Sequence, residues 1–152
     1  MMTAMIEFLT GLHNLLRWVV LIAGVLAIGA TIRGVATRAP WTEGVGRVGL
    51  VLLSSMHFQL VLGLILYVFS PFVRNALGNM SAAMQSDELR FFVVEHLTLM
   101  VLAIVAAQLG YSLSKRAEGD RKKYVRASIG YVLAGVLLIV GIPWWRPLIP
   151  WA

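Results

Sequence analysis

Val48-Gly49-Leu50-Val51-Leu52-Leu53-Ser54-Ser55-Met56-His57-Phe58-Gln59-Leu60-Val61-Leu62-Gly63-Leu64-Ile65-Leu66-Tyr67-Val68-Phe69-Ser70-Pro71-Phe72-Val73 runs for 26 residues without a charge. About 20 mostly apolar residues in a helix cross the hydrocarbon of a bilayer. Ser70-Pro71 closes the run, because proline pushes the residue before it out of helical backbone. Three other stretches read the same way. One runs from about Gly11 to Ile32, with only His13, Asn14 and Arg17 strongly polar, and Thr3 is a candidate N-cap for an earlier start. The next runs from Phe91 to Ser114, interrupted by Glu95 and His96 and preceded by Ser86 or Asp87 as cap. The last, Ala127 to Trp145, is uncharged and closed by Pro143 and Pro147.

The connections between these stretches are short, so sequential neighbours are antiparallel. The expected fold is all-α, a single integral-membrane domain over 1–152. It is an up-down-up-down four-helix bundle with helices at approximately 3–33, 47–70, 87–115 and 126–146. Composition agrees. Apolar residues make up 59% and charged residues 13%, against roughly 25% charged in soluble domains. Mean hydropathy is +0.82. Arg17 before an apolar run imitates a signal peptide, but the segment is read as a retained helix.

Net charge is +6, yet no nucleic-acid motif accompanies it, and nucleic acid is not an expected partner. The basic residues mark orientation instead. The turns after the first and third helices hold nine of the 13 Lys and Arg, namely Arg33, Arg38, Arg47, Lys115, Arg116, Arg121, Lys122, Lys123 and Arg126. The opposite side holds Arg17, Arg74, Arg90 and Arg146. Positive charge inside puts both turns in the cytoplasm and both termini outside, which in a bacterial inner membrane means the periplasm. Tyr67, Phe72, Phe91, Trp144, Trp145 and Trp151 then mark the outer interface, and Trp41, Tyr111 and Tyr124 the inner one. The turn around Lys122-Lys123 suits anionic lipid.

Cysteine is absent, which excludes disulfides, thiolate zinc sites and iron–sulfur clusters. No P-loop, dinucleotide fingerprint, nucleophile elbow or zinc-protease motif occurs. The residues left to carry chemistry are His13, His57 and His96, all within predicted membrane helices. His13 and His96 each lie ten residues past their candidate caps, Thr3 and Ser86, or roughly 15 Å along a helix. His57 lies thirteen residues before Ser70, roughly 20 Å. Imidazole is the commonest protein ligand for metals and a usual axial ligand of haem iron. A haem held by two histidines needs them on different helices, at similar depth and facing inward. His13 and His96 meet the depth condition best, with His57 as substitute for either.

Arg17 shares a helix face with His13 at i, i+4. It is either a snorkelling residue or the counter-ion of a haem propionate, a quinone oxygen or Glu95. Met100, at i+4 from His96, packs against a ring or acts as an axial ligand, and packing is the stronger reading. Met80 and Met84 form only a weak copper signal, and their stretch reads better as a small amphipathic segment lying on the membrane.

His13-Asn14-Leu15-Leu16-Arg17-Trp18, the run from His57-Phe58-Gln59 to Tyr67, and Leu89-Arg90-Phe91-Phe92-Val93-Val94-Glu95-His96 follow one another in order. Gly110-Tyr111-Ser112-Leu113-Ser114-Lys115-Arg116-Ala117 and Ile142-Pro143-Trp144 complete the series. Together these resemble a small family of bacterial four-helix membrane proteins known as cytochrome b-like. The resemblance implies haem b and membrane electron transfer, with His13, His57 and His96 as candidate ligands and Arg17 and Glu95 as companions. The chain lacks the paired histidines on two helices that hold two stacked haems in respiratory cytochromes b.

Three functions are open at this point. The first is an oxidoreductase component, a membrane protein with one b-type haem near the periplasmic side. It would exchange electrons with quinone, with other membrane redox subunits or within a homo-oligomer. The second is a non-catalytic accessory or assembly subunit whose histidines, Arg17 and Glu95 form a buried polar network. The third is a copper or other metal site built from all three histidines.

Overall fold

The computed structural model describes residues 2–147. Trp151, assigned above to the outer aromatic belt, lies outside the described residues. Four helices are long and apolar enough to cross a membrane: α1 (Met2–Thr37), α2 (Glu43–Phe69), α5 (Asp87–Lys115) and α6 (Asp120–Gly141). Two short helices, α3 (Pro71–Gly78) and α4 (Met80–Gln85), fill the connection between α2 and α5. The protein is an all-α, multi-pass four-helix bundle.

The local chemistry accounts for most helix ends. The Thr42 hydroxyl accepts from the Val45 N–H at 3.4 Å to start α2. At its other end the Ser70 N–H reaches Leu66 O at 2.8 Å, while Pro71 opens α3 at a position where no N–H is needed. Asn79 caps α4 through its side chain, at 3.2 Å from Ala82 N. Ser86 caps α5, with Asp87 and Glu88 placed at the positive end of the helix dipole. Gly119, at φ +85, makes the turn into α6 that a residue with a Cβ adopts only under strain.

Several boundaries differ from the expectation. Thr3 lies inside α1, which begins at Met2, and that helix runs to Thr37 rather than 33. Helix α6 begins at Asp120, so Lys122 and Lys123 are helical and the basic turn shrinks to residues 116–119. Charged residues end the hydrophobic run without ending the backbone hydrogen-bond ladder. The stretch around Met80 and Met84 forms two helices that pack down on the bundle. Val73, Ala76 and Ala83 are buried against Val93, Tyr67 and Leu89 in a cluster of their own.

The bundle is turned inside out relative to a soluble protein. Its centre is rich in small residues, Ala23, Ala27, Ala103, Ala106, Ala107, Ala127 and Ala134, while Val25, Ile22, Ile129, Ile139 and Val140 stand exposed on the outside. Small interior residues and large apolar exterior ones are what lipid as solvent favours. Helices α5 and α6 make the most extensive contact, crossing where Gly110 meets Gly130. A Cβ at Gly110 would stand 2.8 Å from the Gly130 Cα. Helix α1 packs on α2 and α6, and α2 touches α5 more sparsely. Toward the basic turns the packing closes with Tyr124, whose ring lies against Gly34 and whose hydroxyl donates to Pro40 O at 3.0 Å.

Candidate functional site

At the end opposite the basic turns the four long helices separate around a cavity of about 700 Å³, within the range typical of small-molecule sites. Its lining runs along α2 from Ser70 to Met56, a helical distance of roughly 20 Å. The floor is apolar, made by Met56, Ile104 and Leu138, and the walls carry His13, Asn14, Arg17, Gln59, His96 and Arg146.

Helix α1 presents Glu7, Thr10, His13, Asn14 and Arg17 to this space, one face at three- and four-residue spacing. Arg17 is only 7% exposed, so it is embedded in the bundle rather than snorkelling into lipid. A guanidinium at this depth is costly unless it serves a partner or a site.

Helix α5 delivers His96 immediately after a π-helical turn, Phe91–Glu95, in which the His96 N–H bonds to Phe91 O. Single π turns of this kind recur at functional sites. Here the turn has two local consequences. Residues five apart come into line, so the Arg90 Nε donates to the Glu95 carboxylate at 2.8 Å. The Tyr67 hydroxyl, from α2, donates to Val93 O at 2.9 Å where the helical ladder is loosened.

The imidazole of His96 lies 2.7 Å from Gly141 O through Nδ1. A carbonyl can only accept, so Nδ1 carries the hydrogen and Nε2 of the neutral ring keeps a free lone pair. Gly141 is the last residue of α6, where carbonyls lack an intrahelical donor. The end of one helix thereby fixes the tautomer of a histidine on another.

His13 sits across the cavity. Its backbone carbonyl accepts from the Gln59 Nε2 at 2.8 Å, and its Cε1 lies 3.3 Å from where a Cβ on Gly63 would be. Gln59 and Gly63, one turn apart on α2, together form the seat for His13. The rings of His13 and His96 have centroids 6.3 Å apart and planes 69° apart.

This arrangement can be tested against a haem. Imidazole nitrogens bind a metal ion at about 2 Å, so two histidines that would share one must bring their ring centres to roughly 6 Å. The observed separation fits, the two histidines come from different helices, and an apolar floor of Met56, Ile104 and Leu138 lies in the same cavity. Arg17 and Arg146 supply positive charge along the lining. Arg146 stacks over Phe72 and Phe92 at 5.4 and 5.0 Å and pairs with Glu88.

Two of the five expected site residues lie elsewhere. His57 is exposed on the outer face of α2, with Nδ1 2.8 Å from Leu53 O one turn back. It does not line the cavity, because the face that carries Gln59 and Gly63 inward carries residue 57 outward. Glu95 is taken by Arg90, a pairing that depends on the π turn, and it is no companion of Arg17. Among the described residues no three His, Cys, Asp or Glu side chains cluster to hold a metal ion, so the three-histidine copper site is not assembled. Met80 and Met84 are exposed, whereas Met100 lines the cavity.

Gln59, Gly63 and Arg146 are site residues that the sequence reading passed over. For Gln59 a signal existed, since an amide in an otherwise apolar membrane helix needs a partner. Comparison with family models, with curated proteins and with solved structures finds no match.

Proposed function

We propose that this chain is a membrane-embedded b-type haem-binding electron-transfer protein of the bacterial inner membrane, both termini on the periplasmic side. His13 and His96 would hold the haem. The observation that carries this reading is the pair of cavity-facing imidazoles on separate helices, 6.3 Å apart, one with its Nδ1 hydrogen engaged by Gly141 O. Haem, when bound, supplies a one-electron iron couple.

The chain's own residues do the rest. His96 arrives with its tautomer set and Nε2 free to coordinate. His13 is held by the grip of Gln59 on its backbone. Arg17 provides positive charge suited to carboxylate substituents such as propionates, and Arg146, paired with Glu88, stands at the rim. The apolar residues Met56, Ile104 and Leu138 lower the local polarity at the floor of the cavity, which is one lever on redox potential. The nine basic residues at the opposite end support the orientation through the positive-inside rule. Electrons would pass to a membrane partner, a quinone or another redox subunit.

The experiment is purification from haem-replete cells with oxidised and reduced spectra. A Soret band and sharp α and β bands on reduction are expected in the wild type and in His57→Ala. Both are expected to vanish in the His13→Ala/His96→Ala double variant. A colourless wild-type preparation that co-purifies with a stable partner would leave the accessory-subunit reading in its place.

A further inference from the structure

The two histidines of the cavity are not supported alike. His96 has its Nδ1 bound to Gly141 O, whereas the Nδ1 of His13 is buried and makes no hydrogen bond. A second buried atom is in the same condition, the Oε1 of Gln59. The Gln59 amide already touches residue 13, since its Nε2 donates to the His13 carbonyl at 2.8 Å. That contact decides the orientation of the amide, because its oxygen cannot face another carbonyl.

The Nδ1–Cε1 edge of the His13 ring faces α2. A Cβ on Gly63 would lie 3.3 Å from Cε1 and 3.9 Å from Nδ1, and Gln59 is one turn away on the same face. One buried nitrogen able to donate and one buried oxygen able only to accept therefore stand at one seam between α1 and α2. A buried polar atom left without a partner is costly, and these two are complementary, one a donor and the other an acceptor.

We propose that Gln59 is a positioning residue for His13. Its Oε1 accepts from the His13 Nδ1–H, sets that tautomer and leaves Nε2 for the cavity. It does for His13 what the Gly141 carbonyl does for His96. Histidines that bind metals almost always donate the other ring N–H to such an acceptor, which orients the ring and raises its basicity. The inference deepens the haem reading, and the histidine tautomer tests it independently of haem.

Two substitutions separate this role from simple anchoring. Gln59→Leu removes both the donor to the His13 carbonyl and the acceptor for Nδ1. Gln59→Glu removes the donor and keeps a stronger acceptor. Nitrogen-15 histidine spectra of the purified haem-free protein are expected to show His13 as the Nδ1–H form in the wild type and in Gln59→Glu. In Gln59→Leu the Nε2–H form is expected to appear. With haem bound, Gln59→Leu is expected to weaken retention by about tenfold or more and to raise the midpoint potential. Gln59→Glu is expected to retain haem and lower the potential.

If Gln59→Glu behaves like Gln59→Leu in both tautomer and potential, the amide is only a backbone anchor and the proposal falls. An Nε2–H His13 in the wild type overturns it outright. A wild type without haem but with the Nδ1–H form dependent on residue 59 sinks the haem reading and leaves the Gln59 role standing.

Discussion

The two halves of this bundle are built from the same kinds of helix and do opposite things. Toward the basic turns the helices come close together. Gly110 and Gly130 meet backbone to backbone, and Gly49 and Gly34 receive the Tyr131 hydroxyl and the Tyr124 ring. Toward the other end the same four helices part around about 700 Å³ lined by histidine, arginine and amide groups. Small residues account for the first arrangement. The second needs more than bulk, because polar side chains in an apolar surrounding must be oriented by neighbours. Gln59, Gly141 and the π turn before His96 supply that orientation. One half is solid so that the other can be hollow.

The comparison breaks first at the crossing of α5 and α6. A Cβ on Gly130 would stand 2.7 Å from Ala106 O and 2.8 Å from the Gly110 nitrogen. Neither backbone atom can yield cheaply. Gly130→Val is expected to cost more than about 3 kcal/mol, the upper part of the overpacking range, and to remove folded protein from a thermal melt in detergent. A variant as stable as wild type would show that the solid half tolerates separation.

In the hollow half a comparable insertion is expected to spare the fold and hit the site. Gly63→Leu places a side chain against the His13 ring, now 3.3 Å from the Cβ position, with the cavity beside it to absorb the bulk. Under the proposed haem reading, haem content per protein is expected to fall about tenfold, in the range of disturbed ligand surroundings. The melting temperature is expected to change far less than for Gly130→Val. Equal losses of stability in the two variants would erase the distinction between the halves.

The smallest effect belongs to the seam beneath the outer connection. Tyr67→Phe removes the donor to Val93 O and is expected to cost about 1 kcal/mol, a typical net hydrogen bond, with the haem spectrum little changed. A large spectral shift would mean that the π turn positions His96 through Tyr67 and would enlarge the site to include it.

Much of the architecture was legible in the residues. Ser70-Pro71 ended a helix as read, Ser86 capped one, and four apolar runs became four long helices. The equal depth assigned to His13 and His96 corresponds to two rings that meet. What the residues did not reveal was rotation about each helix axis. His57 looked equivalent to the other histidines because depth along a helix can be counted, whereas its facing depends on which side α2 turns to α1. Gln59, two positions away, faces the cavity for the same reason that His57 does not. The π turn was invisible too, since Phe91-Phe92-Val93-Val94-Glu95 reads as ordinary helix. That turn let Arg90 claim Glu95.

Sequence alone determined that this chain is a membrane protein of four helices, because burial of apolar length in lipid is a one-dimensional property. It also determined which end is basic, since charge in the turns needs no packing to be counted. Tertiary structure alone decided which polar residues share a space. That choice rests on helix rotation and on the close approach that glycine permits, and both are settled by contacts between segments far apart in the chain. Through those contacts His13 and His96 face each other across the cavity with Arg17 on the same lining, and His57 lies on the outer face of the bundle.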